Sequence, residues 1–191
     1  MKIRFSEINT VSNYISFLRL LLGIPIFILL DYIKIDYSYR IILVSLYFAA
    51  YISDLLDGYL ARKFNQISEF GKIIDPLADK ICVGIIILKM YLISEIPAYY
   101  FWIIILRDIF IFIGGIIISK RIGKVLPSNL LGKLTVTSIG IFIIIVTLET
   151  DKNLWYYNLA LYLSLILSFA SVAGYAIRAF DIIKWKKNET I

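Results

Sequence analysis

Six long apolar runs, separated by short polar connections, leave this chain little choice of architecture. They cover residues 14–30, 41–52, 73–93, 97–119, 130–148 and 155–177. With its flanks, each approaches the roughly 20 residues a helix needs to cross a bilayer. Composition agrees, since 60% of the 191 residues are apolar and mean hydropathy is +0.84, well above a soluble globule. The predicted fold is an all-α membrane protein of six transmembrane helices behind a short N-terminal interfacial segment, with residues 1–191 as a single domain. The first run has a basic flank like a signal peptide, but Asp31-Tyr32-Ile33-Lys34 follows it instead of a small-residue cleavage site. It is therefore read as a retained span.

Charge orients the spans. The net charge of +6 comes from basic residues at the ends of apolar runs, where they anchor helices, so no nucleic-acid binding is expected. Lys2 and Arg4, then Arg62 and Lys63, then Lys120, Arg121 and Lys124, then Arg178, Lys184, Lys186 and Lys187 fall on alternate connections. The remaining connections, with Asp31, Lys34, Asp36 and Arg40, then Glu95, then Glu149, Asp151 and Lys152, are close to neutral. The positive-inside rule puts both termini, and the acidic segment after the second span, on the cytoplasmic side of the cell membrane. Tyr99, Tyr100, Trp102, Trp155, Tyr156, Tyr157 and Trp185 lie near the proposed boundaries, as interfacial aromatics do. The chain has no histidine and one cysteine, Cys82, which is read as packing. That excludes a disulfide framework, a Cys/His zinc site and histidine acid–base chemistry. Carboxylates, Lys, Arg, Ser and Tyr are left to do any work.

Four aspartates stand out against this background. An acid inside a span costs about 2.5–3.5 kcal/mol and by default marks a functional site with a partner. If the second span continues as a helix past Ile52, then Asp54, Asp57, Gly58 and Ala61 lie on one side of it. On the third span, Gly71, Asp75, Asp79 and Cys82 form a stripe with i, i+4, i+8 and i+11 spacing. The two acid pairs could face each other across one helix contact, with Gly58, Ala61 and Gly71 allowing close approach. Pro76 implies that the third helix starts nearby or bends there. Four ionised carboxylates in one cavity raise one another's pKa values unless they are compensated. Two divalent cations would balance them, and all-oxygen ligation suits Mg²⁺ or Mn²⁺. Metal pairs held by carboxylates commonly serve in-line displacement at phosphorus.

The pattern Asp54-x2-Asp57-Gly58-x2-Ala61-Arg62-x8-Gly71-x3-Asp75-x3-Asp79 resembles the full signature of the CDP-alcohol phosphatidyltransferases, with every fixed position present. Six spans with the signature between the second and third are also the family's arrangement, so the resemblance covers most of the chain. It implies that Asp54 and Asp75 bridge two metals, that Asp57 and Asp79 complete one site each, and that Asp79 is the general base for the acceptor alcohol. It implies that Gly58, Arg62 and Ser68 hold the CDP part of a CDP-linked lipid. Asn13, Ser16 and Arg19, at i, i+3 and i+6, could also reach the nucleotide, or they are interfacial polar residues at the entry of a span. The implied reaction is attack of an alcohol on the lipid-side phosphorus with release of CMP. A homodimer is implied as well.

The acceptor is read from later spans. Arg107 and Lys133 resemble the basic residues that bind acceptor phosphate in family members using phosphorylated alcohols, and Arg178 is counted with them. Arg107 could instead pair with Asp108, and Lys133 and Arg178 could be interfacial anchors. Asp75-Pro76-Leu77-Ala78-Asp79-Lys80, and Asn65-Gln66-x-Ser68 before Phe70-Gly71, look most like phosphatidylglycerophosphate synthases, which use glycerol 3-phosphate. Arg107-Asp108 and the stretch from Leu130 to Thr135 also look like the cardiolipin synthases of the family, which use phosphatidylglycerol. Many glycerophosphate enzymes carry Glu where this chain has Asp108. A transporter or proton relay would also place acids in a helical bundle, but here they gather at one end of their spans and no paired broken helices are evident. A structural metal site without chemistry is the other alternative.

Overall fold

The computed structural model describes residues 11–63, 71–122, 130–149 and 151–189, with side chains except at 11–13, 57–58, 61–62, 71–76, 119–122 and 182–189. All regular structure among them is helical: α1 (Val11–Leu29), a 3-10 turn (Leu30–Tyr32), α2 (Tyr37–Lys63), α3 (Gly71–Leu92), α4 (Ala98–Ile122), α5 (Leu130–Leu148) and α6 (Trp155–Glu189). Backbone in an apolar medium must bond to itself, and a helix achieves this within one segment. Five of the six α-helices, all but α3, are long and apolar enough to cross a membrane. The 22 residues of α3 are interrupted by Lys72, Asp75, Asp79, Lys80 and Lys89.

Helix ends have local causes. The Ser38 amide donates to Asp36 Oδ1 at 2.7 Å, so Asp36 caps the start of α2. At the end of α3, the Glu95 amide donates to the Met90 carbonyl at 2.8 Å and the Ser94 amide to that of Tyr91 at 3.0 Å. This paired closure needs a left-handed residue, usually glycine; here Ser94 supplies it, with φ of 60°. Pro76 lies inside α3, five residues past its start at Gly71, rather than in the first turn.

The chain divides after Glu95 into two compact units. In the first, α1 packs against both α2 and α3. α1 and α3 run parallel, since Arg19 meets Asp79, Gly23 faces Ile85 and Phe27 lies under Lys89. Where the sequence suggested direct facing of the second and third spans, the described acids of α2 and α3 meet through α1. Ile26, Leu30, Leu43, Ile86 and Met90 form the apolar core. At the end far from the acids, Lys89 Nζ is 2.7 Å from Asp31 Oδ2 and Lys34 Nζ is 2.6 Å from Glu95 Oε1.

In the second unit, α4 and α6 run parallel and α5 antiparallel to α6. Tyr100 and Ser164 share a hydrogen bond, Arg107 reaches Ser171, and the Thr135 hydroxyl donates to the Leu167 carbonyl. Ser164, Ser168 and Ser171 make a small-residue stripe on α6, each hydroxyl donating back into its own helix at 2.7–2.9 Å. Such residues satisfy themselves locally and let helices approach in lipid. Gly114 and Gly115 continue the contact: a Cβ on either would lie 3.2 or 3.1 Å from the Tyr175 ring or hydroxyl.

Candidate active site

α2 runs as one helix from Tyr37 to Lys63, through the first part of the signature. α3 likewise carries Asp75 and Asp79 on successive turns of one helix. Two of the four acids have described side chains, and one group joins them. Arg19 Nη1 of α1 lies 3.1 Å from Asp54 Oδ1 and pairs closely with Asp79 Oδ1. Its Nε donates to Ser53 Oγ at 3.2 Å, and the Ser53 hydroxyl donates to the Ala50 carbonyl at 2.7 Å. One guanidinium thus ties three helices together at the signature.

The electrostatics follow from burial. The Arg19 side chain is 3% exposed, whereas Asp54 and Asp79 are each 41% exposed. Guanidinium stays protonated in proteins, so a buried one needs anions, and it has them on two sides. The carboxylates are the more accessible members of the cluster and the guanidinium the buried one. In the sequence Arg19 reads as a nucleotide-reaching or interfacial residue, and not as the partner of the signature acids. The usable signal was its being the one charge in an apolar run beside spans with surplus acid.

Ser16, one turn before Arg19, is fully buried on α1. Cys82, one turn after Asp79, is buried as well, in keeping with a packing role. The side chains of Asn13, Asp57, Arg62 and Asp75, and the surroundings of Gly58, lie outside the described side chains, and Ser68 lies outside the described residues. Among the described side chains no three acids or cysteines form a metal-binding cluster, and Asp57 and Asp75, one from each aspartate pair, are not among those side chains.

The acceptor candidates belong to the second unit. Arg107 on α4 is buried, pairs with Asp108 and donates from Nε to Ser171 Oγ at 3.0 Å. The intramembrane pair considered for it is therefore present, with a serine on α6 as an additional partner. Lys133 on α5 is exposed, and Arg178 on α6 is partly exposed.

Comparison with known proteins bears on this arrangement. A family model described as CDP-alcohol phosphatidyltransferase matches residues 9–170. A protein of Aquifex aeolicus named CDP-diacylglycerol–glycerol-3-phosphate 3-phosphatidyltransferase is 32% identical over 180 residues, covering 91% of this chain and 97% of that protein. A Rickettsia typhi protein of the same name is 41% identical over 92 residues, or 47% of this chain and 51% of that protein. One from Pseudomonas fluorescens, again of that name, is 48% identical over 75 residues, 39% and 37% of the respective chains.

Proposed function

The chain belongs to the CDP-alcohol phosphatidyltransferase family, and from that premise we propose that it transfers the phosphatidyl group of CDP-diacylglycerol to glycerol 3-phosphate, forming phosphatidylglycerophosphate and releasing CMP. The observation that supports this most is the convergence of Asp54 and Asp79, the first and last acids of the signature, on one positive group from two helices.

Asp54 and Asp79 come together from two helices and each stays 41% exposed while paired with Arg19, so they offer the hard oxygen ligands that suit a divalent ion. Asp54, Asp57, Asp75 and Asp79 would hold two such ions, Mg²⁺ or Mn²⁺. When bound, these ions would offset negative charge on the phosphoryl and leaving oxygens. The chain's own residues do the rest. Asp79 accepts the proton of the acceptor hydroxyl as its oxygen bonds to the lipid-side phosphorus, and the bond from that phosphorus to CMP breaks, the electron pair leaving with CMP. Gly58, Arg62 and Ser68, with Asn13 and Ser16, hold the CDP portion, Arg62 through charge-assisted bonds to phosphate. Arg107, Lys133 and Arg178 bind the acceptor's phosphate. The relatives named for glycerol 3-phosphate favour that acceptor over phosphatidylglycerol. In this reading residues 1–191 form one domain of six spans, with α3 as the sixth. Both termini and the active site face the cytoplasm, and the chain works as a homodimer in the cell membrane.

The test is CMP release by purified protein given CDP-diacylglycerol, Mg²⁺ or Mn²⁺ and a panel of alcohols. Release with glycerol 3-phosphate is expected. Release with phosphatidylglycerol alone would reassign the product to cardiolipin, and release with no acceptor would leave a transporter or a structural metal site.

A further inference from the structure

The signature accounts for acids on α2 and α3, but not for the group that sets the distance between them. We infer that Arg19 is a positioning residue of the metal centre: it holds one oxygen each of Asp54 and Asp79, so the two carboxylates stand at the spacing and orientation that a divalent cation requires. The inference rests on the reading of these aspartates as metal ligands.

Three observations carry it. First, Arg19 lies on α1, yet its polar bonds go to α2 and α3 at Ser53, Asp54 and Asp79; α1 packs against both helices, so the guanidinium links the two acid-bearing elements. Second, both acids present Oδ1 to the same Nη1. A carboxylate has two oxygens and about four lone-pair sites, so a contact to Oδ1 fixes where that oxygen stands without using up the capacity of the group. Third, the burial is graded: Arg19 is 3% exposed and the acids 41%, so the cation is the buried member of the group and the carboxylates keep accessible surface. The planar fork of arginine suits this task. Its nitrogens are fixed relative to one another, whereas a lysine offers a single ammonium on a flexible stem. Nε on Ser53, whose own proton goes to Ala50, locks the fork against rotation.

The consequence has a sign that charge alone would reverse. By Coulomb's law, removing a positive group beside a metal site should tighten metal binding. If Arg19 orients the ligands, its removal weakens binding instead, as losing the outer-shell partner of a ligand does, by about 10- to 100-fold.

The experiment measures Mn²⁺ affinity and stoichiometry by electron paramagnetic resonance on full-length purified wild type, Arg19→Met, Arg19→Lys and Asp54→Ala, each well below its own unfolding temperature. Arg19→Met is expected to bind Mn²⁺ at least tenfold more weakly than wild type. Arg19→Lys, which keeps the charge and loses the fork, is expected to be weakened too. Affinity that is unchanged or tighter in Arg19→Met overturns the proposal. Should that variant fail to fold, Arg19→Lys decides by the same criterion. A purely structural role would lower the unfolding temperature of the Arg19 variants and leave Mn²⁺ affinity where it was. Absence of saturable Mn²⁺ binding by wild type, or binding indifferent to Asp54→Ala, would instead refute the metal-site reading itself.

Discussion

In the proposed reaction, Asp79 is the residue on which most of the chemistry turns. It is asked to share a metal and to take a proton, and these roles separate in a single variant. Asp79→Asn keeps an oxygen for ligation and loses the base. Turnover should fall by about 10²- to 10⁴-fold, while CDP-lipid binding, measured by equilibrium titration in Mn²⁺, should persist; turnover near the wild-type level would remove Asp79 from the proton-transfer role. A second prediction concerns Tyr175, whose hydroxyl oxygen is buried with no hydrogen-bond partner among the described residues. Removing an unsatisfied buried polar atom costs nothing in hydrogen bonding, so Tyr175→Phe should match or exceed wild-type stability. Gly115→Ala brings a Cβ to about 3.1 Å from that hydroxyl and should be destabilising. Combining the two should restore part of the loss, because the clashing oxygen is gone. Thermal unfolding of the three variants in one detergent would show whether the changes are additive, which they should not be.

At the scale of elements, helix ends and connections have measurable roles. Asp36 carries a carboxyl held below its ordinary range by the Ser38 amide it accepts from, with a smaller contribution from the Ser38 side chain. A lowered value in the folded state means a contribution present above the unfolded pKa and lost as pH falls through the folded one. Asp36→Ala should therefore unfold at a lower temperature than wild type near pH 7, and the gap should narrow on acidification below about pH 4. A gap independent of pH would mean that the cap acts without its charge. At the same end of the unit, Lys34 is 61% exposed and reaches a Glu95 side chain that is only 2% exposed. The lysine is half in solvent, so Lys34→Met should cost less than the roughly 3–5 kcal/mol typical of breaking a fully buried pair, and about 1–2 kcal/mol is expected. Lys34→Met combined with Glu95→Gln should recover stability. Helix register is set in a similar way: Gly23 against Ile85, and Phe27 under Lys89, keep α1 and α3 aligned so that Arg19 arrives level with Asp79.

For the molecule as a whole, the alternation of basic and neutral connections makes a prediction about sides. Asn153→Cys should react with a membrane-impermeant maleimide in intact cells. Lys63→Cys should react only after permeabilisation, with little background from the buried Cys82. Labelling of both positions in intact cells would overturn the six-span orientation. Acceptor choice is tested at the same scale. Lys133→Ala should raise the KM for glycerol 3-phosphate with little change in CDP-lipid affinity, and an unchanged KM would separate α5 from phosphate recognition.

Much of this was legible in one dimension because the bilayer makes it so. Backbone that must bond to itself over about 20 apolar residues has few options, so helix existence and approximate bounds could be read directly. The aspartate spacing pointed to each acid pair sharing a helix, and α2 and α3 carry them so. The partner of those acids was not legible. Lipid tails are as apolar as leucine, so apolar periodicity says little about which face of a membrane helix meets which neighbour. Several basic residues could have answered the acids. The rotation of α1 and its packing against both α2 and α3 selected Arg19, and α6 gave Arg107 its Ser171. Helical segments, their charge pattern and the chemistry of the signature were thus properties of the chain itself, because they depend on local hydrogen bonding and residue type. The pairing of particular charges across helices belonged to the tertiary structure, because it depends on how each helix is turned about its own axis.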